Sequence, residues 1–170
     1  ARPSVKRSPM VCGYERPQSM VQKSVDAFLQ EMDDAGVDKG ILVGRQAGHR
    51  IVSNDDIAEL RDQYPLRFPL AIAGINGCTV PAALHEVERA ITRLGFDGIA
   101  VDPGWWVPAM YVDDPRIYPI YAKCQELGVV MYLTCSLMQG PDISYADPWR
   151  IQRVAFRTSP GESLARFASP

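Results

Sequence analysis

Two stretches place chemically active side chains directly after short apolar runs. Gly98-Ile-Ala-Val101 runs into Asp102-Pro-Gly-Trp-Trp106, and Gly128-Val-Val-Met-Tyr-Leu133 runs into Thr134-Cys-Ser136. Asp102 is the first candidate for a catalytic role, because a carboxylate at a strand end can orient a substrate or move a proton. Trp105 beside it offers a flat binding surface; an Asp-Pro turn with packed tryptophans accounts for the same residues. Cys135 is a candidate nucleophile flanked by the hydroxyls of Thr134 and Ser136, which suit substrate binding. Such a thiol wants an imidazole base, and His49, after an earlier apolar run, is placed to serve. The competing reading of Cys135 is an inert thiol near the core. Arg45 and Gln46 follow Ile41-Leu-Val43, and the planar fork of an arginine suits a carboxylate substrate. An exposed surface loop explains that pair equally well.

Composition narrows the classes. The 170 residues suit one domain with a sizeable core, and 46% hydrophobic with 22% charged residues is ordinary for a globular chain. A net charge of −2 gives no basic patch for nucleic acid. No apolar run approaches a membrane span, and the basic opening Ala1–Arg7 lacks the apolar stretch of a signal peptide. Cys12, Cys78, Cys124 and Cys135 match no metal or redox spacing. Four cysteines could in principle form two disulfides, but Cys124 on an apolar helix face and Cys135 at a strand end suit buried free thiols, which points to a reducing, cytoplasmic compartment. With His49 and His85 the only histidines, one chain cannot build an all-histidine metal cage.

The elements that must position these groups follow from periodicity. Ser19 to Gly36 reads as one amphipathic helix with Val25, Phe28, Leu29 and Met32 inward; Ser19 with Gln22, or Ser24, caps it. Ile41–Val43 reads as a buried strand, and Arg45 to Arg50 as a loop. Asn54 is read as the cap of the next helix, with Asp55 and Asp56 in its first turn. Leu70–Ile75 is a second strand, Thr79 caps a third helix, and Gly98–Val101 is a third strand. Asp114-Pro115 opens a helix ending at Leu127, the run Val129–Leu133 reads as a fully buried fourth strand, and Asp147-Pro148 opens a last helix. Strands starting near residues 41, 70, 98 and 129 recur about every 30 residues, as in a sheet of parallel strands with crossover helices. Residues 1–18 read as an irregular arm, 19–155 as the βα-repeat domain and 156–170 as an irregular tail.

Several of these segments together resemble the amidohydrolase-related family of metal-dependent hydrolases and decarboxylases. They are Asn54-Asp-Asp-Ile-Ala-Glu-Leu60, Tyr64-Pro65 with Arg67-Phe68, Leu94-Gly-Phe-Asp-Gly-Ile99, and Asp114-Pro-Arg-Ile-Tyr-Pro-Ile-Tyr121 followed by Leu127-Gly128. The resemblance covers about residues 24–155 and implies an α/β fold of partial (β/α)8 type, TIM-barrel-like. The four parallel strands and their covering helices look like the second to fifth units of such a barrel. The family implies a divalent metal such as zinc. Its first-strand His-x-His would precede residue 1, later ligands would follow residue 170, and the fifth-strand histidine falls at Thr134. No metal ligand of the family can be placed in this chain.

The resemblance implies a hydrolase acting on a small carboxylate, ester, lactone or amide. Two alternatives stand beside it. One is a family lyase of decarboxylase or hydratase type; the other is a metal-free half barrel that binds a ligand or assembles. The expected partner is a small-molecule substrate, without nucleic acid or membrane. Four βα units with right-handed crossovers cover one face of their sheet, leaving the other face and two edges open. A partner half, a dimer or a refolded tail must cover that face, and a homo-oligomer is the expectation.

Overall fold

A computed structural model describes residues 16–48, 50–134 and 141–158. The chain divides into two compact units, residues 1–40 and 41–170. In the first, helix α1 (Gln18–Gln22) and helix α2 (Val25–Asp34) replace the single helix expected from the periodicity. The break is at Lys23, whose left-handed backbone (φ 52°) stops α1. Ser24 then caps α2 by accepting a hydrogen bond from the Ala27 amide. Ser19 does not cap; its amide and hydroxyl both donate to Glu31. Met32 is buried, whereas Val25 and Phe28 are exposed.

The second unit is built on a four-stranded parallel sheet. Its strands are β1 (Ile41–Val43), β4 (Leu70–Ile75), β5 (Gly98–Val101) and β6 (Val130–Leu133), side by side in that order. Helices α3 (Asn54–Gln63), α4 (Val80–Thr92) and α5 (Tyr118–Glu126) connect them. Residues alternate across a sheet, and the side bearing Ala71, Ala73, Ile75, Ile99 and Val101 is sealed in one core with Ile57, Val87, Ile117 and Ile120. α6 (Pro148–Arg157) adds Val154 to that core; its cap is Asp147, as the Asp-Pro pattern predicts.

Two strand expectations need correction. Neither β1 nor β6 is buried: Ile41 and Val43 in β1, and Val130 and Tyr132 in β6, are exposed. An uninterrupted apolar run reports that both sides can tolerate burial, not that both are covered. Here the helix-packed core takes the opposite side of both strands, and β1 and β6 are the sheet's edges among the described residues. The Arg45–Arg50 segment, expected as a loop, forms an antiparallel hairpin of β2 (Arg45–Ala47) and β3 (Arg50–Val52). Gly48 adopts φ 56° in its turn, a conformation glycine reaches without strain. Asp114 caps a short 3-10 turn, Pro115–Ile117, ahead of α5. Among the described residues no helix is long and apolar enough to cross a membrane.

Candidate functional site at the strand ends

In parallel sheets the carboxyl ends of the strands gather functional groups because connecting loops can vary there without disturbing the core. Arg45 and Asp102 meet at this end. Arg45 opens β2 just beyond β1, and Asp102 lies just beyond β5. The Arg45 Nε–H donates to Asp102 Oδ2 at 3.1 Å. The carboxylate is 5% exposed and the arginine side chain 35% exposed. The Arg45 terminal amino groups make no other hydrogen bond or ion pair among the described residues. Asp102 Oδ1 is buried and likewise has no partner among them. A buried carboxylate costs several kcal/mol unless paired, so Asp102 anchors Arg45 and Arg45 keeps Asp102 affordable in an apolar setting.

Close backbone contact sets that geometry. Where the chain leaves β1, Gly44 passes against Gly74: a Cβ at Gly74 would stand 2.6 Å from the Arg45 nitrogen, and one at Gly44 would stand 2.5 Å from the Gly74 nitrogen. Only hydrogen-sized side chains allow this approach. β1 ends here, so β4 loses its neighbour at Gly74. The side-chain amide of Asn54 takes over, accepting from the Gly74 amide at 2.9 Å and donating to the Gly74 carbonyl at 3.1 Å. Asn54 is thus no cap, contrary to the sequence expectation. Ser53 caps α3, accepting from the Asp55 and Asp56 amides, and Asn54 is buried as a surrogate peptide group. Its amide also donates to Glu86 at 2.7 Å. Arg89 binds Glu86 and Asp55 together, and these bonds hold both carboxyls below the usual range. Sequence reasoning missed Asn54 because Ser53 offers an equally good cap and Gly74 lies 20 residues away.

The other expected residues fall as follows. Gln46 spends its amide within the hairpin, donating to the Val52 carbonyl. Trp105 is half-buried, with its carbonyl against Gly48. Trp106 is the buried tryptophan, its ring filling the space over Gly77. Thr134 directly follows β6 and lines a crevice with Val101, Gly104, Leu133 and Tyr145. The Tyr145 ring stacks on Tyr111 at 4.4 Å, and Arg150 lies 3.7 Å over the other aromatic partner, Tyr111, while pairing with Asp113. That cluster fixes the 141–150 segment beside Thr134. His49, Cys135 and Ser136 lie outside the described residues. Cys124, read as a buried thiol, is one: burial pushes it up to about 12.

These groups do not fit a divalent metal. Thr134 offers a neutral hydroxyl where the resemblance puts an imidazole, and Asp102 already gives one oxygen to Arg45. Among the described residues no three His, Cys, Asp or Glu side chains come together.

Residues 7–163 match the family model described as amidohydrolase. A curated relative, 2-amino-3-carboxymuconate-6-semialdehyde decarboxylase of Dictyostelium discoideum, is 30% identical over 100 residues, 58% of this chain and 27% of that protein. Among solved structures, an uncharacterised TIM-barrel protein of Bordetella bronchiseptica superposes with a TM-score of 0.81 at 33% identity, over 88% of this chain and 53% of that one. A 2,6-dihydroxybenzoate decarboxylase from Rhizobium gives 0.55 at 28% identity, over 74% and 44%. The chain therefore spans about a quarter of the curated relative and about half of the solved barrel.

Proposed function

This chain belongs to the amidohydrolase family, and on that premise we propose that it serves a lyase of the decarboxylase type acting on a small organic acid. The observation that carries this reading is Arg45: a part-exposed arginine at the strand ends, held through Nε by a buried carboxylate. Decarboxylases among the relatives support a lyase over the hydrolase that the resemblance first implied.

Decarboxylation breaks a C–C bond, leaves the electron pair on the retained carbon, protonates that carbon and releases CO2. A cation on the departing carboxylate would hold back its loss of charge, whereas catalysis needs contacts that strengthen toward the transition state. Arg45 therefore holds an anionic substituent that stays, its two terminal amino groups gripping it end-on. Asp102 positions Arg45, and Thr134 supplies a hydroxyl at the neighbouring strand end.

The test is a CO2-release assay across mono- and dicarboxylated aromatic and unsaturated acids, run beside ester, lactone and amide hydrolysis. CO2 release that prefers dicarboxylates, and falls about 100-fold in Arg45→Ala, is expected. Hydrolysis without CO2 release would overturn the lyase reading in favour of the hydrolase.

A further inference from the structure

One buried side chain touches both glycines behind Arg45. Asn54 Oδ1 accepts from the Gly74 amide at 2.9 Å, and a Cβ at Gly44 would stand 2.8 Å from that same oxygen. The Gly44 amide donates to the Ile72 carbonyl at 2.7 Å. Gly44, with Arg45 directly after it, is therefore set between β4 and the Asn54 amide. The bonds to Gly74 tie that amide to β4, and Glu86 in α4 ties it to the helix layer. Glu86 Oε1 accepts from Asn54 Nδ2 at 2.7 Å, and an ionised acceptor makes such a bond short and strong. Arg89 holds Glu86 in turn, donating from Nε to Oε2 at 2.8 Å and from Nη2 to Oε1 at 2.9 Å. The same guanidinium reaches Asp55, the residue after Asn54. The ring Asn54–Glu86–Arg89–Asp55 thus closes on itself through the chain.

We propose that Glu86 is a positioning residue for the candidate site: by holding the Asn54 amide, it fixes where the chain leaves β1 and so where Arg45 meets Asp102. The proposal rests on the reading of Arg45 as the grip for a substrate anion. A surface ion-pair network accounts for the Arg89–Asp55 contact, and such pairs contribute little. It does not account for a Glu86 oxygen turned to an asparagine that is 3% exposed. Without Glu86, one Nδ2 hydrogen of Asn54 loses its partner in a buried place, which costs more than a lost surface pair. The amide then shifts toward another acceptor, and the contact behind Gly44 loosens. Arg45 follows Gly44 directly, so the shift reaches its bond to Asp102. Glutamine at position 86 keeps the part that matters, because its carbonyl oxygen still accepts from Asn54 Nδ2. Aspartate keeps the charge but, one methylene shorter, withdraws it from Asn54.

Two readouts test this: calorimetric titration with an aromatic dicarboxylate, and proton exchange at Arg45 Nε followed by nitrogen-edited NMR. They are applied to the parent, Glu86→Ala, Glu86→Asp, Glu86→Gln and Arg61→Ala, each checked for folding by circular dichroism. Arg61→Ala is the structural control, because Arg61 caps the far end of α4 at the Leu94 and Gly95 carbonyls. Glu86→Ala should weaken dicarboxylate binding about tenfold and speed exchange at Arg45 Nε by a similar factor. Glu86→Asp should behave like Glu86→Ala and replaces it if the alanine variant does not fold. Glu86→Gln should return both readouts to the parent's values. Arg61→Ala should lower the denaturation midpoint and leave both readouts unchanged. In an Asn54→Ala background, Glu86→Ala should add nothing to the exchange rate, since it acts through that amide. A parent that binds no dicarboxylate sinks the reading of Arg45 as an anion grip, and exchange at Arg45 Nε alone then decides for or against Glu86. Parent-like exchange in folded Glu86→Ala or Glu86→Asp overturns the proposal. So does a glutamine variant that rescues neither readout, or an Arg61→Ala variant that reproduces the loss.

Discussion

The Arg45–Asp102 pair is asymmetric, with the carboxylate enclosed and the arginine side chain part-exposed. Removing Arg45 strands a buried charge, so Arg45→Ala should destabilise the fold by about 2 kcal/mol, and adding Asp102→Asn should restore most of that loss. Urea denaturation of the single and double variants checks this; additive losses would show that the pair contributes nothing jointly. Asn54 carries a different load, because its amide substitutes for a missing strand. Asn54→Asp replaces a donor with a carboxylate oxygen facing the Gly74 carbonyl and Glu86. It should cost about 3 kcal/mol or more, exceeding Asn54→Ala, in the same measurement. Cys124 sets an alkaline limit. Burial raises its pKa from 9.0 to about 12, so the unfolded chain ionises first. Its contribution is complete below about pH 9 and is lost as pH rises through about 12. Circular dichroism against pH should show stability falling above pH 9, and Cys124→Ala should flatten that fall.

Among the elements, the β2–β3 hairpin decides whether the site exists. It is aimed by the Gly44–Gly74 approach, where an added methyl meets backbone and not a flexible side chain. Gly74→Ala should therefore displace the hairpin, costing about 2 kcal/mol and separating Arg45 from Asp102 while far-ultraviolet dichroism stays near that of the parent. An unchanged pair in a crystal of the variant would refute that coupling. The hairpin was not legible in Arg45-Gln-Ala-Gly-His-Arg50, since three-residue strands are too short for alternation to register. The sheet strands and α3 to α6 were legible, because apolar runs, Asp-Pro starts and glycine stops reinforce one another. Strand burial was misjudged at β1 and β6 for a reason internal to sequence: an apolar run is the same whether one face or two are covered. Arg45 and Asp102 were each placed at the strand ends by the βα period. Their pairing was not, as nothing local links residues 57 positions apart.

For the whole molecule, the half barrel and its charge placement lead to one functional claim. The helix-covered side is a closed core, the other side exposes Ile41, Val43, Leu70, Val130 and Tyr132, and the strand ends carry an anchored cation. Substrate anions should be drawn to that end and held by Arg45. Calorimetric titration of the chain with an aromatic dicarboxylate, using the parent, Arg45→Lys and Arg45→Ala, tests this most directly. The account predicts measurable binding by the parent, a loss of about tenfold in Arg45→Lys because the bidentate fork is gone, and about 100-fold in Arg45→Ala. Equal affinity across all three proteins, each shown to be folded, would contradict it.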